Sequence, residues 1–271
     1  MAKAREIVVR TLSGFLTEIE NLQQGTSNSL WYRGVGDTKY RLVPALYRHK
    51  KTKGADDLAA LERQLMMRFR QRSLPYHDRP LGDDWDALFF MQHYGVPTRL
   101  LDWTENPFVA LHFALMSAKV TLSAAGKVSF AKDAALWILD PVAWNKHALR
   151  HVSYAGGVLT PGDDALKGYR PTPGFSGMQN LPVAIYGAHN SPRIVAQQGV
   201  FAVFGREAVA MEEAFANDGF PSACLTKVVF AKTAIAALKK AVLSHGVTES
   251  VVFPDLEGLA RETKRIFGFE G

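Results

Sequence analysis

The sequence predicts an α+β fold in a single domain, with a mixed and largely antiparallel sheet flanked by helices. Three observations lead to this expectation. Helical and strand patterns follow one another without the strict alternation of a doubly wound sheet. The chain has 271 residues, which is enough to bury a sizeable core. No internal repeat and no long polar linker divides it, so 1–271 is expected to be one domain.

The spacing of apolar residues predicts the first elements. The segment 1–29 is expected to be helical, with an amphipathic helix over 11–23 followed by a loop. A strand over 30–35 and a helix over 57–73 come next. The first part of the chain is therefore expected to contain two helices and one strand.

Cap and turn residues define the next two helices. Asp83 or Asp84 can cap a helix that Gly95 then closes in a left-handed conformation. Asn106 suits the cap of the following helix. Pro107 suits the first helical position, where its missing N–H would have no partner in any case. Both helices should begin where these residues stand.

The second half of the chain has a less regular pattern. The stretch 147–190 is rich in glycine and proline and is expected to be an irregular excursion over the surface, as a lid or a substrate loop. Thr233 and Asp255 are expected to cap the last two helices. Strands are expected over 134–139, 193–196, 200–204, 227–231 and 248–253.

The net charge favours an anionic partner. Lysine and arginine number 32 against 26 aspartates and glutamates, an excess of six that suits phosphates, nucleotides or nucleic acid. Basic residues concentrate in 48–53 and, on the helix over 57–73, at Arg63, Arg68, Arg70 and Arg72. We interpret this helix face as solvated, with a nucleic-acid groove as the alternative.

The chain is expected to stay in the cytosol and not to enter a membrane. It contains no run of about eighteen apolar residues, and residues 1–10 lack the apolar stretch of a signal peptide. Cys224 is the single cysteine, so no internal disulfide can form, and its small apolar neighbours favour an inert buried thiol.

Several common catalytic sites are excluded by their missing motifs. Gly34 and Gly36 do not continue as G-x-G-x-x-G, and the chain has no Walker motif, no H-E-x-x-H, no paired cysteine spacing and no G-x-S-x-G. Hydride transfer on a Rossmann fold is therefore not expected, and no metal is expected. His112 lies on the apolar face of its helix and is expected to be a hydrogen-bonded core residue.

The segment 92–107 is the most informative part of the chain. It predicts a strand over 98–103, in which alternation places Arg99 and Asp102 on opposite faces. The two charges should therefore not neutralise each other, and each needs another partner. Because an unpaired buried carboxylate is costly, Asp102 either anchors the following turn or faces a ligand.

Two further residues are candidates for a cleft. Arg33 stands on an apolar strand directly before Gly34, where a guanidinium can bind a phosphate or carboxylate in bidentate fashion while the glycine lets the ligand approach. The alternative is a salt bridge, to Asp102. Glu249 opens the strand expected over 248–253 and is a second candidate carboxylate, with simple solvation as the alternative.

Four segments of the chain resemble the bacterial and phage FRG domain. The resemblance runs in order from about Trp31 to Ala260, with Tyr32 where the family name implies phenylalanine. It implies that 1–271 is one FRG-type domain. The segments are Tyr32-Arg33-Gly34, the block 92–107 with 110–114, Arg193 with 196–201, and 253–260.

The layout of these segments is similar, more loosely, to that of ADP-ribosyltransferases. On that resemblance Arg33 would hold the phosphates or ribose of NAD, and Trp103 and Thr104 would border the nicotinamide. Glu249, or failing that Asp102, would be the catalytic carboxylate. The chain lacks the Ser-Thr-Ser triplet and the Glu-x-Glu pair of those enzymes. The other residues expected at the cofactor are Tyr32, Gly34, Arg99 and Gln198.

Two hypotheses of function follow. The first is an NAD-using, ADP-ribosyltransferase-like enzyme that acts on a protein or nucleic-acid acceptor in a toxin or anti-phage setting, or a cleft that binds such a nucleotide without turnover. The second is a non-catalytic module that recognises nucleic acid or a phage protein through its basic surface. Convergence of Arg33, Asp102 and the other candidates on one pocket would favour the first.

Overall fold

A seven-stranded sheet runs through the protein. The structure is a computed structural model, and it describes residues 3–52, 54–77, 81–122, 128–170, 179–188 and 191–269 of the chain. The strands are β1 Arg5–Val9, β2 Trp31–Val35, β3 Leu100–Thr104, β4 Val120–Leu122, β5 Val128–Phe130, β6 Ala134–Leu139, β7 Val183–Ile185, β8 Gly199–Val203 and β9 Leu225–Phe230. The helices are α1 Leu12–Gln24, α2 Ala55–Ser73, α3 Asp84–His93, α4 Pro107–Met116, α5 Pro141–Ala148, α6 Pro192–Ala196, α7 Met211–Asn217, α8 Ile235–Ser244, α9 Glu249–Val252 and α10 Leu256–Ile266.

The strand order confirms the predicted α+β class with a mixed, mostly antiparallel sheet. The order is β1-β9-β6-β2-β3-β8-β7, and β4 and β5 form a separate hairpin. β1 pairs with β9 in parallel, whereas the other pairs are antiparallel. The central strands β2 and β3 each have a long partner on their outer side.

Strand alternation gives the sheet two covered faces. Trp31, Leu101 and Trp137 point to the first face and pack against residues of α2, α5 and α7. On the second face, residues of β2, β6 and β9 pack under α1, α4 and α8, whereas residues of β3, β7 and β8 pack under α3. The second face therefore carries two separate apolar clusters, one on each side of the β2–β3 boundary.

Backbone pairing nearly stops between β2 and β3. Only Tyr32 and Thr104 are paired there, although β2 pairs with β6 over five residues and β3 pairs with β8 over five. Since side chains must satisfy the exposed backbone groups, this boundary is where a polar cavity can enter the sheet.

Most of the local predictions are confirmed. Asp83 caps α3, Gly95 follows it with a φ of +73°, Asn106 caps α4 ahead of Pro107, and Asp255 caps α10. The helices predicted over 11–23 and 57–73 and the strands predicted over 30–35, 98–103, 134–139, 200–204 and 227–231 are present, with ends shifted by at most two residues.

Four local predictions are wrong. The segments 193–196 and 248–253 are not strands, because the first forms most of α6 and the second contains all of α9. The N-terminal segment is not wholly helical, since β1 precedes α1, and Thr233 does not cap α8. In each strand error a short β-branched run fits either state, and tertiary packing decides it.

The stretch 147–190 is only partly irregular. It contains a 3-10 helix, Asp164–Tyr169, and the sheet-edge strand β7. Residues 171–178 and 189–190 of this stretch lie outside the described residues. Among the helices that the structure describes, none has the length and apolar character to cross a bilayer.

Replacement of Gly34 by alanine is predicted to destabilise the protein strongly. A Cβ at Gly34 would overlap the carbonyl oxygen of Ala110 and lie 2.5 Å from the amide nitrogen of Ala114, so α4 would have to move off β2. We expect the free energy of unfolding to fall by about 3 kcal/mol, measured by urea denaturation. The matched control is Gly162→Ala, whose Cβ meets nothing closer than 4.0 Å, and a loss there equal to that of Gly34→Ala would refute the packing argument.

Candidate functional site

A cavity of about 240 Å³ lies at the β2–β3 boundary. Its lining residues lie on β2, β3 and β8 and on α3, α4 and α6, together with Gln197 directly after α6. The lining residues are Tyr32, Arg33, Gly34, Gln92, His93, Asp102, Trp103, Thr104, Ala110, Phe113, Arg193, Ile194, Gln197, Gly199 and Phe201.

Arg33 and Asp102 meet in this cavity. Nη1 of Arg33 donates to the backbone carbonyl of Asp102 and lies 4.0 Å from Oδ2 of its carboxylate. The Arg33 side chain is 24% exposed and that of Asp102 is 58% exposed, so the pair is open to a ligand. The Nε of Arg33 is buried and has no hydrogen-bond partner in the described structure.

The contact crosses the gap between the two strands. By alternation Arg33 lies on the face of Trp31 and Val35, whereas Asp102 lies on the face of Leu100. The guanidinium therefore satisfies a carbonyl that β2 leaves unpaired. Burial lowers the pKa of Arg33 and the charge of Asp102 raises it, and the guanidinium stays cationic.

A hydrogen-bonded chain orients the Asp102 carboxylate. Nε2 of Gln92 lies 2.9 Å from both carboxylate oxygens. The hydroxyl of Thr98 donates to Oε1 of Gln92 at 2.5 Å and accepts from the amide of Leu100 at 3.0 Å. Because Thr98 fixes which end of the amide faces it, Gln92 presents its donor to Asp102.

His93 adds a titratable group to the wall. Its Nδ1 lies 3.3 Å from the hydroxyl of Ser191. Burial lowers the pKa of His93, the charge of Arg193 lowers it further, and Asp255 opposes both. The imidazole is therefore neutral at pH 7 and can accept a proton. Sequence reasoning missed this role, although His93 stands in the 92–107 segment.

α6 supplies the side of the cavity that the sequence did not predict. Ser191 caps this helix ahead of Pro192, a start signal that could have identified it. The helix brings Arg193 and Gln197 to the cavity, whereas Gln198, the residue expected there, is exposed and does not line it. Gln198 instead takes the one described left-handed φ outside glycine, +46°.

Four further candidates line the cavity, but not all for the expected reason. Thr104 is buried, and its hydroxyl is already bonded to the carbonyl of Gln197 at 2.5 Å. Burial raises the pKa of Tyr32 to about 12, so its phenol stays protonated. Trp103 has a buried indole nitrogen that no described residue pairs. Gly34 lies against the backbone of α4, where a side chain would not fit. This close packing is a sufficient reason for a glycine at this position, and no ligand is needed to account for it.

A comparison with known families matches the part of the chain that carries Arg33 and Asp102. A family model described as the FRG domain matches residues 28–121. This segment is an FRG domain. No curated protein and no solved structure matches the chain.

The FRG domain supplies two thirds of the lining, from Tyr32 to Phe113. The wall built by α6 and β8 lies outside the matched range. The resemblance noted for 193–201 and 253–260 also lies outside it and stays a prediction. The cavity is thus shared between the FRG domain and the rest of the chain.

The structure does not bring Arg99, which lies within the FRG domain, to the cavity. Its side chain is fully buried, where Nε bonds to a Glu62 carboxylate oxygen at 2.7 Å and Nη2 pairs with the other oxygen. Nη1 donates to the carbonyl of Tyr169 at 3.3 Å. Arg99 therefore links the start of β3 to α2 through an ion pair with Glu62. The expectation that Arg99 lies at a cofactor is wrong, because its side chain does not line the cavity.

Glu249 also lies away from the cavity. It opens α9, not a strand, and its carboxylate accepts from Nε of Arg265 at 2.8 and 2.9 Å and from Nη2 at 2.8 Å. The side chain is 9% exposed. Burial would raise the pKa of Glu249, but the hydrogen bonds from Arg265 outweigh it and hold the pKa below 4.5. Asp102 is the one predicted carboxylate that reaches the cavity.

His112 is buried as expected but lacks the expected hydrogen bond. Neither ring nitrogen has a partner in the part of the chain that the structure describes. Burial lowers the pKa of His112 to about 4, and the imidazole is neutral. Across the described residues, no group of three or more histidine, cysteine or acidic side chains could hold a metal ion.

Loss of Glu249 is predicted to lower stability in a pH-dependent way. Because Glu249→Ala leaves Arg265 without its carboxylate, we expect the free energy of unfolding at pH 7 to fall by about 3 kcal/mol. The pKa of Glu249 is lower in the folded state, so its contribution is present above pH 4.5 and disappears as pH falls through the folded pKa.

Chemical denaturation between pH 3 and pH 7 checks this prediction. Glu257→Ala is the matched control on α10, since its pair with Arg261 is exposed and should contribute about 1 kcal/mol or less. Glu249→Ala should differ from the wild-type protein less at pH 3 than at pH 7. Equal and small losses for both variants would show that Glu249 does not anchor α9 to α10.

Proposed function

We propose that the cavity binds an NAD-like nucleotide and that the protein is an ADP-ribosyltransferase-like enzyme acting on a protein or nucleic-acid acceptor. The observation that carries the proposal is the Arg33–Asp102 pair, which joins an anion-binding guanidinium and an accessible carboxylate in one cavity. A toxin or anti-phage setting is part of the proposal through the FRG resemblance.

The charge of the lining supports an anionic ligand. Arg33 and Arg193 are cationic, Asp102 is anionic and His93 is neutral, so these groups leave one excess positive charge. The aromatic rings of Trp103, Phe113 and Phe201 supply apolar surface for a flat heterocycle. A nucleotide combines both requirements.

The volume of the cavity limits how much of a dinucleotide it can enclose. Pockets that bury a whole drug-sized ligand measure about 300–1,000 Å³, and this one measures about 240 Å³. In our proposal the nicotinamide, its ribose and the adjoining phosphates reach into the cavity, and the adenosine half of NAD lies at the mouth.

The chemistry follows from the position of Asp102. The bond between the ribose C1′ and the nicotinamide nitrogen breaks, and its electron pair leaves with neutral nicotinamide. The Asp102 carboxylate, oriented by Gln92, stabilises the oxocarbenium-like charge that develops on the ribose. A nucleophile of the acceptor then forms the new bond to C1′, and its proton passes to the neutral His93.

Removal of either central charge is predicted to abolish the activity. With NAD labelled in its adenosine half and a cell extract as acceptor, Arg33→Gln and Asp102→Asn should each lower nicotinamide release and label transfer at least about 100-fold. Circular dichroism checks that both variants fold. Asp164→Asn, an exposed carboxylate outside the cavity, serves as the control and should match the wild-type protein.

Two results would count against this function. A wild-type protein that neither releases nicotinamide nor transfers label to any acceptor in the extract would contradict it. Full activity in Asp102→Asn would show that the carboxylate stabilises no transition state. Glu249→Gln should keep the chemistry wherever it folds, because Glu249 does not line the cavity.

A second candidate function, nucleic-acid recognition without catalysis, is favoured by the surface of α2. Arg68 and Arg72 are exposed near the end of α2, and Tyr76, which ends the 3-10 turn directly after this helix, is 84% exposed. Lys50 and Lys51 are also exposed in the preceding loop. Exposed arginines followed by an exposed aromatic ring suit phosphate contact with base stacking.

This candidate predicts salt-dependent binding that does not need the cavity. Binding of single-stranded DNA or RNA, followed by fluorescence anisotropy from 50 to 200 mM salt, should weaken with salt. The double variant Arg68→Gln/Arg72→Gln should reduce the salt slope by about 2, because each arginine neutralises about one phosphate. Arg33→Gln is the control and should bind as the wild-type protein does. Absent or salt-independent binding would rule the module out.

A further inference from the structure

Arg193 lines the cavity, yet the proposed reaction gives it no role. It stands on α6, one residue after Pro192, on the wall that lies outside the FRG domain. Arg33 reaches the same cavity from β2. The two guanidiniums therefore come from different walls of one space.

The guanidinium of Arg193 lies over an aromatic ring. Its Cζ lies 4.6 Å from the centroid of the Phe253 ring. Phe253 in turn packs edge-on against Phe113 at 5.7 Å, and Phe113 also lines the cavity. A cation–π contact with an aromatic face holds a guanidinium beside the ring while its N–H groups can still donate.

No described residue uses those donors. Arg193 has no ion pair and no hydrogen bond from its guanidinium within the described ranges, whereas Arg99 and Arg265 are each paired with a buried carboxylate. The acidic residue near this wall is Asp255, and Oδ1 of its carboxylate caps α10 through the amide of Gly258 at 2.7 Å. Arg193 is thus a positioned cation with free donors.

We infer that Arg193 is a second anion-binding residue of the cavity and that it binds a phosphate group of a nucleoside diphosphate. The inference rests on the nucleotide ligand of the proposed function and specifies how its phosphates are recognised. A planar guanidinium with two parallel N–H groups fits two oxygens of one phosphate. Arg33 then remains for the neighbouring phosphate or the ribose.

The C-terminal helices position this arginine. Phe253 directly follows α9, and Nε2 of Gln197 donates to the carbonyl of Val252 at 3.0 Å, which ties the end of α6 to α9. The Glu249–Arg265 pair holds α9 against α10. Phe253 is therefore a positioning residue, acting through Arg193.

Calorimetric titration with ADP and with adenosine tests the inference. Because Arg193→Gln removes charged hydrogen bonds to phosphate, it should weaken ADP binding about tenfold or more and leave adenosine binding unchanged. Arg193→Lys should recover part of the loss, since it keeps the charge but not the bidentate geometry. Phe253→Tyr should bind ADP as the wild-type protein does, and Phe253→Leu should bind it more weakly.

Arg261→Gln is the matched control. Arg261 also lies over the Phe253 ring, at 5.2 Å, and carries the same charge, but it does not line the cavity. ADP binding should be unchanged in this variant. A loss equal to that of Arg193→Gln would show a general charge effect and overturn the inference, as would unchanged ADP binding in Arg193→Gln or no ADP binding in the wild-type protein.

The inference and the proposed function fail separately. ADP binding that depends on Arg193, in a protein without NAD turnover, would support the phosphate contact and contradict the enzyme. NAD turnover with kcat and KM unchanged in Arg193→Gln would support the enzyme and contradict the phosphate contact.

Discussion

The gap in backbone pairing between β2 and β3 is the feature on which the candidate site depends. A sheet that loses its ladder must satisfy the freed carbonyl groups by other means. The Nη1 of Arg33 does so for Asp102, and the same contact brings a guanidinium beside an open carboxylate. Gly34 allows α4 to pack directly on β2, which forms the wall beside the gap. One side chain therefore has both a structural and a chemical role, because Arg33 satisfies the free carbonyl of β3 and also places a positive charge in the cavity.

Two residues that look functional in the sequence are structural for the same physical reason. A charged side chain on an apolar element must find a partner before it can be buried. Arg99 finds Glu62, 37 positions earlier, and Glu249 finds Arg265, 16 positions later. Neither partner is visible from local spacing. Asp102 differs because its hydrogen bonds come from a neutral amide, which leaves its charge uncompensated except for Arg33 at 4.0 Å.

What the sequence could predict was local, and what it could not was tertiary. Asp83, Asn106 and Asp255 mark helix starts because a side chain close to the helix satisfies the first amides. The alternation that separates Arg99 from Asp102 also follows from neighbouring residues alone. The cavity wall formed by α6 did not follow, since a five-residue run with valine and isoleucine fits strand or helix. Arg33 was recognised because a charge beside a glycine on an apolar strand is unusual, and His93 was missed because a histidine at a helix end is common.

The extent of the site sets a limit on how the FRG domain can act by itself. Within residues 28–121, β2 and β3 are joined by the single pair Tyr32–Thr104. Their long partners, β6 and β8, both lie outside that range. A segment cut at those boundaries would expose two strand edges and would lose the wall that carries Arg193 and Gln197. The matched segment therefore holds the central charges, while the remainder of the chain holds the strands that keep those charges in place.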